Sequence, residues 1–401
     1  MLGDLRDLTR RQWHVIAACY LGWTLDAFDF FILVFVLKDV AAEFTTTVKA
    51  VTLAITLTLA MRPIGALAFG VMADRFGRRP VLMINVLAYS LLEFASGFAP
   101  SLTVFIILRA LYGIAMGGEW GVGASLAMES IPAKMRGLVS GILQTGYPSG
   151  YLLASLVFYF LFPLIGWRGM FMVGIIPAFL VMYIRRTVDE SPTFLAGERI
   201  EKTTNLLQQV KKNWGLFLWA ITMMTSFNFL SHGTQDLYPT FLEQQRHLSN
   251  HSVSIIAAIY NIGAILGGLT FGILSNKIGR RRAIVIASLC ALPILPLWTQ
   301  AKTSVGLAIG AFLIQFFVQG AWGVVPAHLN ELSPDAVRGA FPGVAYQLGN
   351  LLASYNATLQ AGIAADHNGD YALALTIVAG VVAIILALIV GFGREARGKN
   401  F

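Results

Sequence analysis

The sequence predicts an all-α integral membrane protein whose twelve transmembrane helices form two six-helix, pseudo-symmetric bundles. Three observations lead there: scarce charge, the spacing of the apolar runs, and an internal repeat. Of 401 residues, 56% are hydrophobic and only 12% charged, and mean hydropathy is +0.69, whereas a soluble domain carries about 25% charge. No soluble core of this length absorbs so much apolar surface while leaving so few charges for its exterior. The solvent for most of the chain is therefore lipid. A net charge of +8, from 29 Lys and Arg against 21 Asp and Glu, would suggest nucleic acid in a soluble chain. Here the basic residues lie between apolar runs and read as topology signals, so no nucleic-acid partner is expected. Cys19 and Cys290 both fall inside apolar runs and read as small packed side chains; no cofactor, metal or disulfide framework is expected. The first apolar run is too long for a signal-peptide core and has no small-residue cleavage site after it, so it reads as a retained first span.

About 20 apolar residues cross a bilayer core. Applied along the chain, that length places spans near 13–37, 48–73, 81–99, 101–124, 137–164, 168–186, 213–242, 252–275, 282–300, 303–327, 339–362 and 370–393. With the N-terminus inside, 22 Arg and Lys fall on the inner side and five, Lys38, Lys49, Arg168, Arg246 and Lys302, on the outer side. That asymmetry predicts an integral plasma (inner) membrane protein with both termini cytoplasmic. The one long polar segment contains Asp189, Glu190, Ser191, Pro192, Glu198, Arg199, Glu201 and Lys202. It divides the chain into an N-terminal six-helix bundle (1–186), a cytoplasmic linker (187–212) and a C-terminal six-helix bundle (213–401).

A shift of 202 residues aligns Gly70, Gly77, Arg78 and Arg79 with Gly272, Gly279, Arg280 and Arg281. The same shift aligns Trp120, Glu129, Pro132, Arg136, Gly137 and Gly141 with Trp322, Glu331, Pro334, Arg338, Gly339 and Gly343. One unbroken offset across two motifs is an internal repeat. Duplicated bundles in parallel orientation are how alternating-access transporters place a substrate site between two rocking halves.

The loop after span 2, Gly70-Val-Met-Ala-Asp74-Arg75-Phe-Gly77-Arg78-Arg79, returns with changes after span 8. It resembles the signature loop of the major facilitator superfamily, and span count, linker and repeat extend the resemblance over essentially the whole chain. Glycines allow a tight turn and close helix approach, Asp74 can sit near a facing helix N-terminus, and Arg78 and Arg79 can pair with Glu129 at the end of span 4. Glu331 can serve Arg280 or Arg281 in the same way. Asn276 stands where the first copy has Asp74, so the second latch should be the weaker. The alternative is that these charges are solvated topology determinants.

An ionisable side chain near the bilayer centre costs at least about 2.5 to 3.5 kcal/mol and needs a partner or a wet cavity. The candidates are Asp26, Asp29, Arg62, Glu93, Arg109, Glu119, His232 and Asp236. Under the 202-residue shift the first six map to Asn228, Ser231, Ala264, Leu295, Ala311 and Ala321, so the charges belong to one half only. Asp26 and Asp29 share a helix face with Gly22, and two crowded carboxylates favour holding a proton; pairing with Arg62 or Arg109 is the static alternative. Arg62 lies roughly 18 Å along its helix from Asp74, near mid-depth. A planar, permanently charged, bidentate guanidinium there suits a substrate carboxylate. Arg109 and Glu93 read as structural pairing, Glu119 as either, and Trp23, Trp120 and Trp322 as packing residues.

In Asn228-Phe-Leu-Ser231-His232-Gly-Thr234-Gln235-Asp236-Leu-Tyr-Pro-Thr240, the polar side chains of Asn228, Ser231, His232, Gln235 and Asp236 fall within about 140° of one helix face. Such a stripe in an apolar span faces a wet cavity. The segment fills every fixed position of Asn-x-x-Ser/Thr-His-x-Ser/Thr-Gln-Asp-x-x-x-Thr and so resembles the seventh span of lactate and pyruvate proton symporters, within the sialate:proton symporter family. The resemblance implies that Asn228, His232 and Asp236 take part in carboxylate recognition and proton coupling, and that Arg62 and Gln347 are the polar residues of spans 2 and 11. It implies proton-coupled symport of a small monocarboxylate, because sialate-transporting members carry extra spans that this short linker lacks. Arg62, Asn228, His232, Gln235 and Gln347 are then the substrate-binding set, and Asp26, Asp29, His232 and Asp236 the proton-coupling set. The expected partners are a small carboxylate, a proton and the bilayer, with a monomer as the unit. A larger organic acid, sialate or aromatic, is the nearest alternative. A transport-deficient nutrient sensor on the same scaffold would call for an appended cytoplasmic domain, which the sequence does not display. No enzyme is expected, since no nucleophile-base pair, phosphate loop or metal cluster appears.

Overall fold

The structure is a computed structural model that describes residues 8–197 and 206–399. Helices dominate the described residues, and their order reproduces twelve crossings. Spans 1 to 4 are single helices: Arg10–Glu43, Val48–Phe76, Arg78–Ser96 and Leu102–Ser130. Span 1 is 34 residues long, nine more than its apolar run. Thr9 and Gln12 form a reciprocal capping box before it. At its other end Glu43 accepts from Trp167 Nε1 at 2.5 Å and Arg168 Nη2 at 2.6 Å, so polar side chains extend the helix beyond the hydrophobic stretch.

Span 5 begins as Arg136–Gln144 and continues in Gly146–Val173, whose chain turns at Gly166 with φ +62° before span 6 ends in Ala178–Thr187. Spans 7 to 12 are more interrupted. Span 7 is helical over Trp214–Gln235 and then unwinds through Asp236 into a short turn and a π-type turn, Phe241–Gln245. Span 8 is continuous over Asn250–Ile278. Span 9 breaks at Leu292–Ile294, around Pro293, between Arg280–Ala291 and Leu295–Gln300. Span 10 breaks between Ser304–Trp322 and Val325–Leu332, and span 11 between Phe341–Ala353 and Asn356–Asp366. Span 12 is Tyr371–Gly391. Among the described residues, eight helices are long and apolar enough to cross a membrane by length and composition; spans 3, 6, 7 and 11 are shorter, more polar or interrupted.

Of the segment assigned to the linker, Glu198, Arg199, Glu201 and Lys202 lie outside the described residues. Before them, Glu190 accepts from the backbone N–H groups of Arg78, Arg79 and Ser191, which ties the segment to the start of span 3. Burial pushes the Glu190 carboxyl up, against those three donors, which favour its ionised form.

The two sets of six spans meet mainly on the face that carries Arg10 and Gly391. There the first part of span 5 packs on span 8, and Phe341–Ala353 packs on spans 2 and 4. The approach is backbone to backbone: a Cβ at Gly137 would lie 2.4 Å from the Gly272 oxygen, and one at Gly121 would lie 2.7 Å from Gly343 Cα. The far half of span 11, Asn356–Asp366, packs instead chiefly on spans 7 and 12. Contacts between the bundles are therefore concentrated on the termini-bearing face, with span 8 also touching Gly146–Val173, and the opposite face is the more open of the two.

Candidate functional site

The closed face is built twice with the same chemistry. Gly77 and Gly279, with φ +103° and +100°, turn spans 2 and 8 into spans 3 and 9, a backbone region that L side chains rarely adopt. The turns place Arg78 and Arg280 beside glutamates at the ends of spans 4 and 10. Arg78 holds Glu129 through Nε and Nη2, both at 3.0 Å; Arg280 holds Glu331 through the same atoms at 2.9 and 3.0 Å. Each glutamate also meets an arginine from the opposite half: Arg338 lies 3.8 Å from Glu129, and Arg136 lies 3.8 Å from Glu331. Asp74 receives the N–H groups of Gly339 at 2.7 Å and Ala340 at 3.1 Å, just ahead of span 11. Asn276 receives Gly137 N–H at 3.0 Å and Arg280 Nη1 at 2.8 Å.

Two sequence expectations need correcting here. Arg79 does not reach Glu129 and Arg281 does not reach Glu331. Arg79 Nη2 donates to the Arg185 carbonyl at 2.5 Å, and Arg281 donates to the Val390 and Gly391 carbonyls. Both fasten their helix to the end of the last span of their own half, where unpaired helical carbonyls favour a cation. The second latch keeps a full bidentate arginine pair, and what it lacks is only the carboxylate of Asp74.

Above this floor an aromatic cluster closes the space between the halves. Tyr346 of span 11 stacks near Trp120 at 4.8 Å and Trp322 at 5.5 Å between ring centroids. The Arg62 guanidinium lies 5.7 Å from the same tyrosine ring. Arg62 is 3% exposed, its Nε and Nη2 have no hydrogen-bond partner, and no carboxylate among the described residues contacts it directly, Asp26 acting on it from a distance. The next residue of span 11, Gln347, is equally buried, and its amide has no partner among the described residues either.

One turn beyond Tyr346, Asn350 meets the span 7 stripe. His232 Nε2 lies 3.0 Å from Asn350 Oδ1, and His232 Nδ1 lies 3.1 Å from Asp236 Oδ1. The His232 and Asp236 side chains are 33% and 37% exposed, whereas Asn228, one turn deeper, is 2% exposed; access therefore comes from the open face. Gln235 donates to Gln315 at 3.0 Å and to Ser231 at 3.3 Å, and Gln319 donates to Ser231 at 3.1 Å. Asn350, Gln315, Gln319 and Tyr346 escaped the sequence reading. Asn350 had a signal, three residues after Gln347 on the same helical face.

Asp26 and Asp29 lie behind this constellation. Both are fully buried inside the first bundle, and their carboxylate oxygens have no hydrogen-bond partner among the described residues; Asp26 is within electrostatic reach of Arg62 and Arg109 without pairing directly with either. Tyr112 donates to the Asp26 backbone carbonyl at 3.1 Å. Arg109 is fully buried on Glu93, with Tyr112 below its guanidinium at 3.9 Å, the structural pair expected. Glu119 packs against Gly22, where any Cβ would come within 2.4 Å of its Oε1.

The family described as Major Facilitator Superfamily matches residues 19–249, more than half of the chain, and Sugar (and other) transporter matches 214–395. The chain belongs to the major facilitator superfamily. A carboxylic acid transporter protein homolog of Saccharomyces cerevisiae is 29% identical over 98% of this chain and 70% of its own. The sialic acid transporter NanX of Escherichia coli is 28% identical over 97% of this chain and 96% of its own. The proton:xylose symporter XylE superposes with a TM-score of 0.75 at 20% identity, covering 97% of both chains, which establishes the fold alone. This major facilitator protein is an integral membrane transporter and not an enzyme. The NanX match also corrects one inference: a sialic acid transporter aligned over nearly its whole length leaves no room for extra spans, so a short linker does not single out small monocarboxylates.

Proposed function

We propose that this transporter carries a small monocarboxylate of the lactate or pyruvate type with a proton, as a monomer in the plasma (inner) membrane with cytoplasmic termini. The observation that carries the reading is Arg62: a deep guanidinium with two nitrogens free of hydrogen bonds and no carboxylate in direct contact, beside Tyr346 and one turn of span 11 from the His232–Asn350 contact. A buried cation whose donors are left unfilled is costly unless an anion visits it. The residues 1–186 and 213–401 rock about 187–212; Asp74 on the Gly339 and Ala340 N–H groups, Arg338 beside Glu129 and Arg136 beside Glu331 hold the cytoplasmic side shut while the site faces outward, and Arg78 and Arg280 fix the two glutamates within their own bundles.

The coupling chemistry follows from the histidine. In the structure the Asn350 oxygen faces His232 Nε2 and Asp236 faces Nδ1, the arrangement a protonated His232 takes by donating from both nitrogens; a neutral His232 that donates to Asp236 accepts at Nε2 only from the Asn350 amide nitrogen, so protonation turns the Asn350 oxygen toward the ring. That turn presents the Asn350 Nδ2 to the cavity, where it joins Arg62, Asn228, Gln235 and Gln347 as donors to the substrate carboxylate. Asp26 and Asp29, sealed from the stripe, are a reserve proton site that opens only as the halves move. Co-transport of one proton cancels the charge work of about 2.3 kcal/mol per 100 mV that a lone monocarboxylate would meet entering an inside-negative cell.

The end-to-end match to a sialic acid transporter favours a second reading, symport of a larger organic acid. Counterflow of labelled lactate in proteoliposomes, with external pH recorded, tests both. The expected result is lactate exchange with external alkalinisation that excess sialate leaves unchanged. Exchange of sialate without lactate establishes the second reading, and exchange of neither acid rejects both.

A further inference from the structure

A lateral groove lies outside this site, where span 7 and span 12 part near the termini-bearing face. It encloses about 590 Å³ and is lined by Trp214, Gly215, Leu218 and Thr222 of span 7 with Leu388 of span 12 and Phe392 just beyond it. A second hollow of about 380 Å³ shares Trp214, Gly215 and Phe392 and continues to Lys212, Asn213 and Arg394. Apolar slot and polar hollow thus form one continuous depression. Lys212 and Arg394 line its mouth and are exposed, as is Lys211, which precedes Lys212 in the chain, and no described carboxylate pairs with them. The nearest acid in sequence, Glu395, is occupied by the N–H groups of Arg281, Ala396 and Arg397.

We propose that this groove binds an anionic phospholipid of the surrounding bilayer, one acyl chain lying in the slot and the phosphate headgroup among Lys211, Lys212 and Arg394. Three features select this occupant. The slot opens sideways between exposed Leu218, Leu388 and Phe392, the surface that faces lipid. Trp214, two-thirds exposed, stands at the level where indole rings anchor at the headgroup boundary. Three cations without carboxylates on an apolar slot complement an amphiphile carrying negative charge, and basic hollows between spans at the inner interface are suited to such headgroups. A soluble phosphate would use the cations and leave the slot unused; a partner helix would not need them.

The test is native mass spectrometry of the full chain titrated with phosphatidylglycerol or phosphatidylcholine. Phosphatidylglycerol should bind first and several-fold more tightly, with the preference shrinking at high salt. Lys212→Gln and Arg394→Gln should each weaken it about five-fold, the equivalent of about 1 kcal/mol per cation at a membrane surface, and leave phosphatidylcholine unchanged. Gly215→Trp should block the slot; a Cβ there meets nothing within 4 Å, so the backbone admits a side chain at this position, and an unchanged thermal unfolding midpoint checks that the fold is kept. Equal affinity for the two lipids, a preference untouched by these three substitutions, displacement by soluble glycerol phosphate, or a dimer of chains that excludes lipid from the groove would each overturn the proposal. None of these readouts depends on the transported substrate.

Discussion

The two halves share a backbone plan and spend their polar residues differently. Spans 1 to 4 run unbroken and bury Asp26, Asp29, Arg62, Glu93, Arg109 and Glu119. Spans 7, 9, 10 and 11 are interrupted, and above the closed face, where Arg280 and Glu331 pair, the side chains of spans 7, 10 and 11 are mostly neutral amides and hydroxyls, Asn228, Ser231, Gln315, Gln319, Gln347 and Asn350, beside the His232–Asp236 pair. Buried charge away from the closed face is concentrated in the unbroken helices, which fix its surroundings. Amides, which donate and accept, suit helices whose breaks let them turn. The comparison teaches that one half supplies a fixed field and the other an adaptable hydrogen-bonding surface.

The sharpest way to break the symmetry of the closed face is to remove one glutamate at a time. Glu129→Gln and Glu331→Gln should each cost about 3 to 5 kcal/mol, as expected when one partner of a buried pair is removed, and should lower the thermal unfolding midpoint in detergent by similar amounts. A mild effect at Glu331 alone would show that the second copy is not equivalent. Arg62→Ala tests the fixed field: losing about 2 to 5 kcal/mol of charged recognition lowers lactate counterflow roughly 30-fold or more without comparable loss of stability. Normal counterflow in that variant would remove the assignment of Arg62. In the adaptable half, Asp236→Asn should leave measurable exchange but abolish its acceleration by an acidic exterior, read as uptake against external pH. The smallest effect separates the latches. Asp74→Asn replaces charged by neutral hydrogen bonding at the start of span 11 and should weaken closure by about 1 kcal/mol, roughly five-fold in population, while Asn276→Asp shifts it the other way. Alkylation of single cysteines placed on either face would report both shifts.

The number of crossings, the 202-residue repeat and the polar stripe of span 7 were all legible in the sequence, because lipid imposes a length on helices and a penalty on every polar side chain within them. The repeat also pointed to the right glutamates. It could not say which of two consecutive arginines turns toward them; that depends on the helix phase set by Gly77 and Gly279. Nor could it show that Arg136 and Arg338 cross to the opposite half, since an offset describes likeness and not contact. Depth along span 1 was readable for Asp26 and Asp29, but their burial inside the bundle, away from His232, is a matter of helix rotation. Breaks at Pro293 and at Gly323, three residues before Pro326, had a local cause in the sequence, whereas the one at Ser354 had none.

The arginines that reach across the closed face are also anchored at home: Arg136 donates to the Met128 carbonyl and Arg338 bonds Asp335, while each glutamate keeps its bidentate partner within its own bundle. Separation of the bundles therefore strands no bare ion in a dry environment. The unlocking step loses the long, shared contacts of Arg338 and Arg136 and the Asp74 hydrogen bonds rather than whole ion pairs.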